Sequence, residues 1–335
     1  MLGGTGTGKT TYLIGMYAEL SAGIDNYFMS ADHDTDIDLA RAWDALVDDG
    51  ILPRATNESK AYEFTFRYGF DPLLMLDWVD YRGGAMSETT DSPGTAALIT
   101  RLGESDSLYL TLDGALLASV LAGEARGEQR LRSVVGRYSA ILGRVGDERR
   151  ENDLVPPSVV VLVTKGDLMR DRLAGTGEER QARITRWAVD LFGQVFRPDW
   201  DSAVCVVSLG RLGESVESRI DPRRVEPAGI HKPMIFSLYS FYRRAARAFE
   251  AEAARVRGIH GRGLSELEQM RSRVMTRFLG HQKVSELGQA VEQASQYVYE
   301  MESLAHECLS RTSVLEGELL DVPTFIDGQW MNGGQ

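Results

Sequence analysis

Gly3-Gly4-Thr5-Gly6-Thr7-Gly8-Lys9-Thr10 meets every fixed position of the pattern G-x-x-x-x-G-K-S/T. Glycines let backbone N–H groups converge on a β-phosphate, and a helix opening at Thr10 adds the positive end of its dipole. In that arrangement Lys9 reaches the β- and γ-phosphates and the Thr10 hydroxyl ligates Mg²⁺, with Thr11 completing the phosphate-binding run. The plainer alternative is a glycine-rich turn before a helix.

Two further stretches bear on that alternative. Leu76 to Gly83 (LDWVDYRG) is an apolar strand ending in D-x-x-G. There Asp80 can hold Mg²⁺ through water and the Gly83 N–H can bond a γ-phosphate, whereas Asp77 is a surface strand residue. Val159 to Asp167 (VVVLVTKGD) is a buried-type strand followed by T-K-x-D. A carboxylate at Asp167 accepts from both N1–H and N2–H of guanine, a pair adenine lacks, while the Lys165 stem lies over the base and Thr164 ends the strand. Alone this tetrapeptide is as well read as an ordinary strand-end turn; after a phosphate loop and D-x-x-G it carries more.

The intervening elements must place these groups at one edge. Periodicity predicts helices over Thr10–Leu20, Asp36–Val47, around Leu131–Val145 and over Glu179–Phe196. Strands are expected at Ala61–Tyr68 and Leu73–Val79, joined as a hairpin, and at Leu108–Leu112, Val159–Thr164 and Ala203–Val207. Strands alternating with helices imply an α/β fold, a mostly parallel sheet covered on both faces. A buried strand of five or six residues normally precedes a phosphate loop, yet only Met1 and Leu2 stand there. The expectation is a late start site, or a domain with its first strand largely missing.

At this point the chain resembles the GTPases of the TRAFAC class, the group with the Ras-like, Arf-like and Rag-like small GTPases. LDWVDYRG lies on that family's strand-plus-D-x-x-G element, and TKGD is similar to its N-K-x-D base-reading motif. The resemblance covers roughly Met1 to Glu250 and implies a Ras-like P-loop fold that binds GTP and Mg²⁺. It also assigns Ser208 and Leu209 to the loop that touches the guanine oxygen, although Leu209 and Gly210 replace the family's Ala and Lys. The long first switch segment and the D-x-R-G-G sequence look most like bacterial GTPases of conflict and signalling loci, some of which occur as double-GTPase pairs. The family needs a switch-one Thr on Mg²⁺ and the γ-phosphate. Thr35 competes with Thr56, and the spacing of Thr56 to Asp80 favours Thr56, leaving the helix Asp36–Val47 as an insertion in that switch. Family members usually place a Gln directly after D-x-x-G; Gly84 stands there, so slow hydrolysis that depends on a partner is implied. Arg82 is the candidate charge stabiliser, a salt bridge to a neighbouring carboxylate being its ordinary reading, with Glu88 and His33 behind it.

Bulk properties fit this picture. The 335-residue chain is 43% apolar with a formal charge of −12, which disfavours nucleic acid or an anionic membrane as the main partner. Cys205 and Cys308 are the only cysteines, and no signal or transmembrane segment is evident, so a cytoplasmic protein is expected. The domain boundary is expected between residues 250 and 258. Beyond it a helical arm steps through Val284, Leu287, Val291, Ala294, Val298, Met301 and Ala305. It folds as a hairpin on Leu264, Leu267, Met270, Val274 and Phe278 with a break at Gly280, or it pairs with a second copy or an effector. The aromatic tail Val322 to Trp330 docks in cis or on a partner. Protein effectors are expected at the switch segments, Asp32 to Lys60 and Gly83 to Gly94, and at the arm. A guanine-nucleotide switch leads over two rivals, a nucleotide-binding scaffold that never turns over and an ATP-using member of the wider phosphate-loop class.

Overall fold

The computed structural model describes residues 1–53, 59–81, 93–212, 219–274 and 281–332, without the side chains of 93–97 and 259–293. In chain order the elements are α1 (Lys9–Ala22), β1 (Tyr27–Ala31), α2 (His33–Val47), β2 (Lys60–Tyr68), β3 (Asp71–Asp80), α3 (Pro93–Glu104) and β4 (Ser107–Asp113). There follow α4 (Gly114–Leu121), α5 (Ala125–Glu151), β5 (Ser158–Thr164), α6 (Gly166–Arg172), α7 (Gly177–Phe192) and β6 (Ser202–Val206). The last are β7 (Ser208–Gly210), β8 (Val225–Ala228), α8 (Lys232–Val274), α9 (His281–Gly317), β9 (Thr324–Ile326) and β10 (Gln329–Asn332). The chain forms two compact units, one of Met1–Ser237 with Glu318–Gln335 and one of Leu238–Gly317. The expected boundary at 250 to 258 falls inside α8, where Gly258 is carried through without a break.

The first unit is mixed α/β. β4, β5 and β6 run parallel, and every residue of β5 is buried, as its continuous Val-Val-Val-Leu-Val run requires of a central parallel strand. The expectation of a mostly parallel sheet needs correction, because short hairpins add antiparallel strands at both sides. β1, β2 and β3 form an antiparallel ribbon whose β2–β3 turn is Gly69-Phe70. At the other edge β9 pairs antiparallel with β6, and β10 returns on β9 through Asp327-Gly328, both at positive φ (53° and 78°), the geometry of a tight two-residue turn. The tail therefore docks in cis: Phe325 is buried and Trp330 stacks on Phe196 with ring centroids 5.5 Å apart.

Among the described residues, Met1 and Leu2 lie between ribbon and parallel strands. The Leu2 N–H donates to Tyr109 O (2.7 Å) and Leu2 O accepts from the Thr111 N–H (2.8 Å). On the other side Met1 O accepts from the Tyr81 N–H (3.3 Å) and the Met1 amino group donates to Val79 O (2.6 Å). These two residues occupy the strand position that leads into the glycine loop.

Alternation along β4 and β5 divides the core into two layers. Leu108, Leu110, Leu112, Val159, Val161 and Val163 face one side with the apolar stripe of α5, Leu131, Val135, Tyr138, Leu142 and Val145. On the other side Tyr109 packs with Tyr12 of α1 and Trp78, and its hydroxyl meets Pro233 O and Ser237 in the first turns of α8. Burying these side chains is the main favourable term in the fold, about 1.5–3 kcal/mol for each large one.

In the second unit α8 and α9 are neighbours. The Arg311 guanidinium donates to the Tyr242 hydroxyl (2.8 Å) and lies over its ring, while Arg257 pairs with Glu302. Partners that run forward on one helix and backward on the other define an antiparallel hairpin. Buried residues step by seven on both, Tyr239, Ala246 and Ala253 against Val298, Ala305 and Thr312. The expected seam is thus buried at Val298 and Ala305 and half-buried at Ala294 and Met301; the side chains of Val284, Leu287 and Val291, and Gly280, lie outside the described residues.

Candidate functional site

The loop Gly3–Gly8 runs from the Leu2 strand position into α1. Gly8 caps that helix at φ 83°, and Gly6, at the exposed tip beside Thr5, has φ 76°. Both are backbone states an L side chain adopts only under strain, so the glycines are needed here. The Thr7 hydroxyl closes the turn by donating to Gly4 O at 2.9 Å. Lys9 is buried, and its ammonium folds back to donate to Gly3 O (2.9 Å) and Gly4 O (3.1 Å). Burial pulls its pKa below the ordinary lysine value, with the Asp80 carboxylate opposing. The first N–H groups of a helix have no acceptor within it, so loop, helix end and ammonium together favour an anion.

Asp80 ends β3 beneath this loop and is 1% exposed. Its Oδ2 accepts from the Thr10 hydroxyl at 3.0 Å, and its Oδ1 is buried with no hydrogen-bond partner. Burial raises its pKa, against the Thr10 hydrogen bond and the Lys9 charge. Buried carboxylate oxygens without partners are rare. An orphaned one beside a threonine hydroxyl fits a hard, oxygen-seeking cation such as Mg²⁺. Asp77 is exposed on the same strand, as its alternation requires.

The second half of the site hangs from the end of β5. The Thr164 hydroxyl donates to Thr7 O (2.6 Å) and Leu112 O (3.0 Å), tying strand end to glycine loop. Lys165 sits at φ 54° as the cap of α6 and reaches Gly6 O (3.0 Å) and the Asp113 carboxylate (2.7 Å). Asp167, 5% exposed, lies in the first turn of α6. Ser208 is fixed by its own strand end, donating to Gly210 O and accepting from the Gly210 N–H. A cavity of about 510 Å³ joins the two halves: Gly6, Gly8 and Thr11 line it together with Thr164, Lys165, Asp167, Ser208 and Leu209.

Sequence reasoning missed the wall opposite. Leu52, Pro53, Ile220 and Ile230 give the cavity an apolar side, and the first of these are placed where the Ile220 N–H meets Gly50 O at 2.9 Å. No periodic signal marks so brief a pairing. Asp113 was missed as well, although it ends a buried strand as Asp80 does and could have been found by that rule.

Of the switch candidates, Thr35 lies in the first turn of α2, where Asp32 caps the helix by accepting from the N–H groups of Asp34 and Thr35. His33 opens that helix at the exposed surface. Thr56, Arg82, Gly83, Gly84 and Glu88 lie outside the described residues. Among the described residues no helix is long and apolar enough to cross a membrane. The chain matches no protein-family model, no curated protein and no solved structure.

Proposed function

We propose that the chain is a guanine-nucleotide-binding switch of Ras-like architecture that holds GTP with Mg²⁺ and hydrolyses it slowly to GDP and phosphate. The observation that supports it is the shared cavity, in which the glycine loop and the Thr164–Asp167 strand end face one space of nucleotide dimensions. The loop N–H groups bind the diphosphate, and Lys9 exchanges its two loop carbonyls for the β- and γ-oxygens. Thr10 and Asp80 hold the Mg²⁺, which when bound neutralises charge on those oxygens. Asp167 accepts from the guanine N1–H and N2–H, and the Lys165 stem covers the base while its ammonium stays on Gly6 O and Asp113. In hydrolysis water adds to the γ-phosphorus, the bond to the β-γ bridging oxygen breaks, and GDP leaves with the electron pair. Gly84 in place of a water-orienting amide keeps this step slow.

Competition of a fluorescent GDP analogue with GDP and ADP tests the base preference. GDP should displace it at concentrations at least 100-fold lower than ADP; preference for ADP assigns the chain to the ATP-using class instead. Phosphate release beyond one equivalent separates a switch from a scaffold, and none, with candidate partners added, favours the scaffold.

A further inference from the structure

Away from the nucleotide cavity, three segments of the first unit bring Asp25, His231 and Glu318 together, with one ligand atom from each within 4.8 Å of the others. Asp25 is exposed in the tight turn between α1 and β1, at φ 48°, where Ile24 and Tyr27 exchange both backbone hydrogen bonds. His231 stands just before α8, and its carbonyl accepts from the N–H groups of Met234 and Ile235, which fixes its backbone. Glu318 follows α9. His231 Nε2 lies 3.7 Å from Glu318 Oε2, too far for a hydrogen bond.

Two buried polar atoms at this cluster are unsatisfied. His231 Nε2 has no hydrogen-bond partner, and neither has the hydroxyl of Tyr27, a residue 1% exposed. The Glu318 and Asp25 carboxylates lie near enough to that hydroxyl to reinforce the upward push that burial gives its pKa. Stacking on Phe66 and a tilted contact with Tyr68 hold the ring in place. The neighbouring Lys232 is paired with Asp321.

We infer that Asp25, His231 and Glu318 bind a divalent transition metal, with Zn²⁺ the best fit. Imidazole nitrogen with carboxylate oxygen suits a borderline-soft ion, whereas Mg²⁺ takes oxygen ligands and keeps its waters. Donors around tetrahedral zinc stand roughly 3.4 Å apart, so the His231–Glu318 pair is nearly at coordinating distance already. The Tyr27 hydroxyl donates to a bound carboxylate or to the water in the fourth position. Zinc would then clasp the α1–β1 turn, the approach to α8 and the chain's return at Glu318. The site is independent of the nucleotide proposal.

The test uses the full chain, stripped by chelator, filled with Mg²⁺ and titrated with ZnCl₂ in a calorimeter. One saturable equivalent is expected, with a higher melting temperature, and His231→Gln and Glu318→Gln should each weaken binding at least tenfold. Absence of a saturable equivalent overturns the inference, and so does binding that both substitutions leave intact. Should either variant fail to fold, the wild-type Co²⁺ derivative decides: visible bands from nitrogen and oxygen ligands alone support the site, and a thiolate charge-transfer band, implicating Cys308 or Cys205, rejects it.

Discussion

The two ends of the proposed nucleotide site are built on different principles. At the phosphate end Lys9 and Asp80 are buried and Thr10 half-buried, and the groups are hydrogen-bonded to one another, Lys9 on Gly3 and Gly4 and Thr10 on Asp80. Ligand and cation would replace bonds the protein already makes to itself. At the base end Lys165 is 37% exposed while paired with Asp113, and part of the cavity wall is supplied by apolar residues from distant segments. One end is preorganised by polar closure and the other by the path of the backbone. Affinity should therefore come chiefly from the first and discrimination from the second.

Substitutions can break or sharpen that contrast. Lys9→Ala should have the largest effect, lowering GDP and ADP affinity alike by at least 100-fold, about 2.7 kcal/mol, in a calorimetric titration. Retained GDP affinity would remove the phosphate end from the site altogether. Asp167→Ala should lower GDP affinity about 30-fold, through two lost charge-assisted hydrogen bonds, while leaving pyrophosphate binding unchanged. An unaltered GDP-to-ADP ratio would show that the base is read elsewhere. Thr10→Ala should cost about tenfold in the tightening that Mg²⁺ gives to GTP binding, with Mg²⁺-free affinity nearly untouched, the loss expected of one neutral hydrogen-bonding ligand. Asp113→Asn should be the mildest, at most about threefold on GDP. Asparagine keeps the cap on the Ala115 N–H and loses only a partly exposed ion pair, worth about 0–1 kcal/mol.

How much of this was legible in the sequence differs between the same two ends. The glycine loop, Asp80, Thr164, Lys165 and Asp167 announce themselves through local chemistry: positive-φ positions, a strand that must be buried, a carboxylate at its end. The fold supplies the rest through pairings too short to leave a period. β1, β7, β8, β9 and β10 are five residues or fewer, and each exists because a neighbouring strand offers its edge. From about Gly258 strand-like sequence gives way to charged helical sequence, which suggests a boundary there, yet α8 carries Gly258 inside one long helix despite about 1 kcal/mol of unfavourable propensity. The seven-residue step of α9 was readable at Val298 and Ala305 and extends to Thr312, beyond where the apolar pattern had been followed. The Asp25, His231 and Glu318 cluster left no sequence signal, since its members are over 200 and over 80 residues apart.

The backbone pairing of Met1 and Leu2 has a consequence for the proposed cation site. Met1 O receives the Tyr81 N–H directly after Asp80, and Leu2 is locked onto β4, while Thr10 reaches Asp80 from the other end of the loop. A closed circuit thus runs from Asp80 through Tyr81, Met1 and the loop to Thr10, main chain throughout except for the one side-chain hydrogen bond that closes it. The gap between hydroxyl and carboxylate is therefore set by the backbone that carries both side chains as well as by their reach.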